Sequence, residues 1–125
     1  MLMFVVASCN KDQRAVRILD GQWKLSRRNG NPVDANENVT ITFTACKLKK
    51  EEYCKVSITD SSDGASITFN GDFKVVDKGE TLELRFTVFG QSEISRFKIK
   101  ELTKKKLIIE VTEGTSVYTE EYAKI

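Results

Sequence analysis

Tyr118, Glu120 and Tyr122 are the residues whose types and spacing most invite a chemical role. Residues two apart on a strand share a face, so two phenols and a carboxylate would stand in one row. Inside an apolar pocket such groups orient a ligand by hydrogen bonding. Catalysis has a thinner inventory. The chain has no histidine, the side chain most used for proton transfer near neutral pH and for metal ligation. No nucleophile stands beside a base. The pairs Glu51-Glu52 and Glu120-Glu121 read as solvated turn and strand-edge charges, because acid–base work needs a perturbed carboxyl in a cleft. Cys46 and Cys54, without histidine or a carboxylate cluster, do not make a tetrahedral metal set. Neither catalytic residues nor a metal or cofactor is therefore expected, and the protein reads as a non-enzyme. Lys104-Lys105-Lys106, with Lys98 and Lys100 nearby, forms a basic patch. At a net charge of +2 it reads as a solvated loop that protects a sheet edge, not as a nucleic-acid site.

The elements that must position these residues are strands. Val39, Ile41, Phe43 and Ala45 alternate with three threonines, a strict period of two. Cys54, Val56 and Ile58 repeat the pattern after a charged turn. Ile67 and Phe69 precede an Asn70-Gly71 turn signal and Phe73–Val76. Leu82, Leu84, Phe86 and Val88 alternate with polar residues up to Gly90-Gln91, where a two-residue turn would set Leu84 opposite Phe97 and Glu83 opposite Lys98. Leu107, Ile109 and Val111 form the next strand, and Ser116–Lys124 the last. If Glu113-Gly114 is a two-residue turn, Tyr118, Glu120 and Tyr122 share the face of Ile109; with a three-residue turn, Val117, Thr119 and Glu121 point inward instead. No segment reads as a convincing helix. The 125 residues suffice for one domain with one core. The fold expected is all-β: an antiparallel up-and-down meander of eight or nine strands closed into a barrel.

Two stretches resemble known motifs. Gly21-Gln22-Trp23 resembles the Gly-x-Trp signature that opens lipocalin-type barrels, and the chain over residues 18–125 is similar to small lipocalin-like lipoproteins of Bacteroidetes-type bacteria. Ile99 to Leu107 and the tyrosine-bearing last strand carry the same resemblance. It implies a lipocalin-like barrel closed by Gly21 and Trp23. The arginine that many lipocalins pack beneath the tryptophan has no counterpart after Arg96, leaving Lys124 as the available cation. Val6-Ala7-Ser8-Cys9, followed at once by polar Asn10-Lys11-Asp12, resembles a lipobox. On that resemblance residues 1–9 are a lipoprotein signal remnant with Cys9 the lipidated residue, and residues 10–17 are a tether. The anchor would hold the protein on the bacterial outer membrane.

With Cys9 lipidated, Cys46 and Cys54 form a possible disulfide in an oxidising compartment. The core pattern pairs Phe43 with Val56 and Ile41 with Ile58, which sets Cys46 beside Tyr53, so a bond between the cysteines needs a slip or a bulge.

The expected function is binding of a small hydrophobic or amphipathic ligand by Phe43, Phe86, Phe97, Ile109, Tyr118 and Tyr122. The alternative is a filled barrel whose outer face meets another envelope protein. A monomer with no nucleic-acid partner is expected in both.

Overall fold

The computed structural model describes residues 2–48 and 52–125, with side chains from Lys11 onward apart from that of residue 63. Helix α1 spans Leu2–Leu19. Strands β1 (Gly21–Arg28), β2 (Asn31–Pro32), β3 (Val39–Thr44), β4 (Cys54–Asp60), β5 (Ile67–Val76), β6 (Thr81–Val88), β7 (Gln91–Leu102), β8 (Lys106–Glu113) and β9 (Ser116–Lys124) follow. Every ladder is antiparallel. The strands pair in chain order, and β9 returns to β1. Eight strands thus close a barrel, and the two-residue β2 folds back on the end of β1 through the Asn29-Gly30 turn. Closure satisfies both edges of the meander, as the alternation along each strand requires.

Alternation decides what lies inside. Trp23, Leu25, Ile41, Phe43, Val56, Phe73, Val75, Leu82, Leu84, Leu107, Ile109, Val111 and Tyr122 are buried in one cluster. The β3–β4 register is Phe43 opposite Val56 and Ile41 opposite Ile58, as the apolar pattern predicts. Four local expectations differ. First, β6 and β7 turn at Phe89-Gly90, setting Leu82 opposite Phe97 and Glu83 opposite Arg96. Both turn residues have positive φ, which places the turn one residue earlier and shifts the register by two, keeping each residue on its expected face. Second, the Asn70-Gly71 signal is not a turn: β5 runs unbroken, and Gly71 lies between Val56 and Phe86. A Cβ at Gly71 would come within 2.5 Å of the Phe86 ring and of the Arg85 carbonyl, so glycine serves close approach here. Third, β8 and β9 pair Glu113 with Ser116, so the two-residue turn is Gly114-Thr115. The shift is again by two, and Tyr118, Glu120 and Tyr122 share the face of Ile109.

The fourth difference is the N-terminus. Residues 10–17, expected as a tether, belong to α1, and Ala15, Val16 and Leu19 are buried in the barrel core. Their spacing presents one apolar stripe. Side-chain contacts to loop backbone hold the helix: Gln13 brackets the Cys46 carbonyl and the Leu48 N–H, and Asp12 accepts from the Gly79 N–H at 2.7 Å. The side chain of Cys9 and all of Glu51 lie outside the described residues. Among the described residues no helix is long and apolar enough to cross a membrane.

Candidate functional site: the barrel mouth

The barrel has a sealed end and an open one. The sealed end is built around the start of β1. Gly21 has φ +120°, and a Cβ there would lie 2.9 Å from the Lys124 side chain. Glycine is required by the backbone, and a side chain there would also push Lys124 aside. The Trp23 indole N–H donates to the Leu19 carbonyl at 2.7 Å, capping one of the helix-end carbonyls that lack an intrahelical partner. Lys124 Nζ lies 4.9 Å from the centre of the Trp23 ring and donates to the Asp20 carbonyl. A cation beside the helix C-terminus suits the dipole. Gly21, Trp23 and Lys124 therefore act together on a helix end.

The disulfide Cys46–Cys54 borders this end, with a Cα–Cα distance of 5.4 Å. The expected register is kept up to Thr44 opposite Lys55. β3 then ends, so Cys46 leaves the ladder and reaches Cys54 with no slip of the strands.

The opposite end gathers the free ends of β1, β4, β6 and β8 and the starts of β3, β5, β7 and β9. Its wall is incomplete. β7 pairs with β8 only from Lys98 to Leu102, so above Lys98 the seam is open. Outside this seam a groove of about 480 Å³ runs along the outer wall from Asp77, Glu80 and Thr81 past Lys98 to Glu110 and Thr112. The β5–β6 ladder likewise begins only at Gly71 opposite Phe86, so beyond that pair these two strands also part and leave residues that face the barrel axis uncovered. Ile67, Phe69 and Val88 share the inward face of Phe73 and Leu84, yet are 56, 52 and 43% exposed. Ile58, opposite Phe69, and Phe86 and Phe97 below are half-buried against the core. Apolar side chains that face inward and still meet solvent form a cup.

Across the cup from these residues the lining is polar. The β-bulge at Ser26 turns Arg28 to the inner face, opposite Glu120. Its guanidinium binds Glu37 of the first loop through two hydrogen bonds, 3.1 and 2.6 Å, and Glu120 at 3.3 Å. The Tyr122 hydroxyl donates to Glu120 at 3.0 Å. A hydrogen-bonded string thus climbs from the core through Tyr122, Glu120 and Arg28 to Glu37. Tyr118 donates to Glu113 at the rim. Burial, then the neighbouring Glu120 charge, raises the Tyr122 phenol well above its ordinary range. The bond to Glu113 and burial push Tyr118 up to about 12. Both phenols stay protonated donors near neutral pH.

The six expected ligand contacts divide by depth. Phe43, Ile109 and Tyr122 are buried in the floor; Phe86, Phe97 and Tyr118 are half-buried above it. Phe69 was expected in the barrel interior, though not as a ligand contact; Ile67 and Val88 on the apolar side, and Arg28 with Glu37 on the polar side, were not singled out by the sequence. Arg28 is legible only once the bulge at Ser26 is known. Among the described residues no group of three or more His, Cys, Asp or Glu side chains is placed to hold a metal.

The most buried charge lies elsewhere, on the outer face. Glu83 is buried beneath Tyr53, Lys74 and Arg96, with the Tyr53 hydroxyl donating to it and Arg96 Nε at 2.9 Å. Burial pushes its carboxyl up, but Tyr53, Arg96 and Lys74 outweigh that and hold it below the usual carboxylate range. All its partners are supplied by the protein, so it ties β4 through β7 together and leaves nothing to react.

Residues 19–109 match the model of a family described as a lipocalin-like domain. Among solved structures the fold is similar to Japanin from Rhipicephalus appendiculatus bound to cholesterol, at 9% identity and a TM-score of 0.62 over 86% of this chain and 76% of that one. A redesigned β-barrel is 15% identical, with a TM-score of 0.58 over 90% of this chain and 96% of that one. As-p18, an extracellular fatty acid binding protein, is 12% identical, with a TM-score of 0.51 over 86% and 96%. At these identities the likeness is one of fold. No curated protein sequence matches the chain.

Proposed function

From the premise that the chain belongs to the lipocalin-like domain family, we propose that it binds a small hydrophobic or amphipathic ligand, without catalysis, in the open half of its barrel. The observation that carries this is the uncovered inward face of Ile67, Phe69 and Val88 above a filled floor. An apolar chain laid on that face would remove water from both surfaces, while the string from Tyr122 to Glu37 would meet its polar end. Two solved structures of similar fold, Japanin bound to cholesterol and the fatty acid binding protein As-p18, support a lipid-sized ligand by analogy of fold. Native mass spectrometry after exposure to a bacterial lipid extract tests the proposal. A stoichiometric extra mass, lost on mild denaturation, is expected; a clean apo mass would refute it.

A second reading has its own support. The floor of the barrel is filled, Phe89 is fully exposed at the tip of the β6–β7 hairpin, and Ile94 and Val117 are exposed on the outward faces of β7 and β9. An apolar rim of this kind also suits a protein partner. Uptake of a partner together with a clean apo mass would favour it.

We also propose the finer affiliation with Bacteroidetes-type lipoproteins and an outer-membrane anchor on Cys9. Support comes from the order of small residues, cysteine and polar residues at positions 6–12. The second half of α1 lies at the sealed end, so a lipid on Cys9 would hold the barrel by that end and leave the mouth free. Intact mass of the protein from its own host, with and without Cys9→Ala, tests it; an unmodified cysteine would refute it.

A further inference from the structure

We propose that the amphiphile held in the mouth carries a cationic head, a primary ammonium on a single alkyl chain, and not the carboxylate of a fatty acid. This rests on the cup reading above and adds the chemistry of the head. The polar lining of the cup is acidic. Glu113 and Glu120 lie on the inner faces of β8 and β9 with Glu37 on the first loop, and Asp60 and Glu93 stand at the inner rim beside Ile67 and Phe86. Arg28 is the cation facing them, and it is already engaged by Glu37 and Glu120. A carboxylate head would enter a surplus of negative charge, and its one guanidinium partner would have to release another carboxylate first. An ammonium head meets the surplus directly and can donate to Glu120 or Glu113 while Ile67, Phe69, Val88 and Phe86 cover its chain.

The basic residues on the outer wall do not reverse this sign. Arg85 is bound to Asp72 at 3.0 Å, Arg96 to Glu83, and Lys98 shares an outward face with Glu110. The sealed end has Lys124, but it lies over Trp23 at the far side of the filled floor. Charge complementarity within the cup is therefore set by the carboxylates named above.

Three twelve-carbon amphiphiles that differ only in their heads test the proposal: dodecylammonium, dodecanol and laurate. Each displaces a fluorescent apolar probe from the protein at neutral pH, below its own aggregation concentration. Dodecylammonium is expected to bind about tenfold more tightly than dodecanol, the scale of a few partly exposed charge contacts, and laurate more weakly than either. The preference should shrink in 0.5 M salt, taken as roughly the range where rim charges are screened. Glu93→Gln, at an exposed rim position, should weaken dodecylammonium a few-fold while leaving dodecanol unchanged. The double variant Glu37→Gln/Glu120→Gln frees Arg28 and should turn the order toward laurate. Equal affinity for the three heads, or laurate tightest in the native protein, would overturn the head assignment and leave the cup standing. Displacement by none of them would overturn both.

Discussion

The Trp23 indole N–H and the Leu19 carbonyl are joined by a hydrogen bond of 2.7 Å, so one side chain closes the barrel and ends the helix that plugs it. Two expectations follow. Trp23→Phe keeps an aromatic ring but leaves the buried carbonyl unpartnered, at a cost of about 1–3 kcal/mol. Leu19→Ala, fully buried in the native protein, should cost about 2–5 kcal/mol through lost burial and a cavity. Urea unfolding reads both. A neutral Leu19→Ala would mean that the segment is a tether and not a plug.

The Cys46–Cys54 bond closes a loop of about nine residues, for which chain entropy gives roughly 2–3 kcal/mol. Unfolding with and without reductant should differ by that amount, and Cys46→Ser/Cys54→Ser should lose its sensitivity to reductant. Equal midpoints in both conditions would show that the bond does not stabilise the fold.

Glu83 makes stability depend on acid. Its carboxyl lies below the usual range in the folded protein, as do those of Asp72 and Asp60. Depressed carboxyls contribute stability that is complete above the unfolded value, about 4.3 for glutamate, and is lost as pH falls through the folded value. Glu83→Gln should therefore be less stable than the native protein at neutral pH, by about 1–3 kcal/mol, and show a flatter decline below about pH 4. Parallel pH profiles for the two would remove Glu83 from the account.

Much of this was legible in the chain, and the failures share a cause. Strict alternation in Val39–Ala45 and Leu82–Val88 specified strands, faces and closure, because a period of two leaves one face to bury. Turn positions were less secure. Phe89 and Asn70 show why: a bulky aromatic takes the left-handed turn at φ 52°, whereas Asn70-Gly71 reads as a turn but lies within a strand under the Phe86 ring. Both hairpin shifts were by two residues, so the faces survived. The helix was missed because its buried stripe, Ala15, Val16 and Leu19, is short and follows residues that resemble an export signal. The cup was missed because its exposure depends on where β5 parts from β6 beyond Gly71 and β7 from β8 above Lys98, which alternation along a single strand does not specify.

All three tyrosines should resist ionisation in the folded state. Tyr53 is raised by its bond to Glu83, Tyr118 is pushed up to about 12 by its bond to Glu113, and Tyr122 is raised by burial. Tyrosinate absorbance should stay low through pH 10, the ordinary phenol value, and rise only above it. Because the folded values are raised, the stability these groups contribute is complete below the unfolded value and lost as pH climbs through the folded ones. A phenol titrating near pH 10 in the folded protein would contradict the hydrogen bonds assigned to it.

The most direct test of the cup is the map of amide and methyl shifts in an NMR titration with dodecanol, whose uncharged head makes the result independent of the head assignment. Saturable shifts at Ile67, Phe69, Phe86, Val88 and Phe97, with Trp23 and Leu107 at the sealed end unmoved, are predicted. Saturable shifts confined to the outer wall, or none at all, would contradict a ligand site in the barrel mouth.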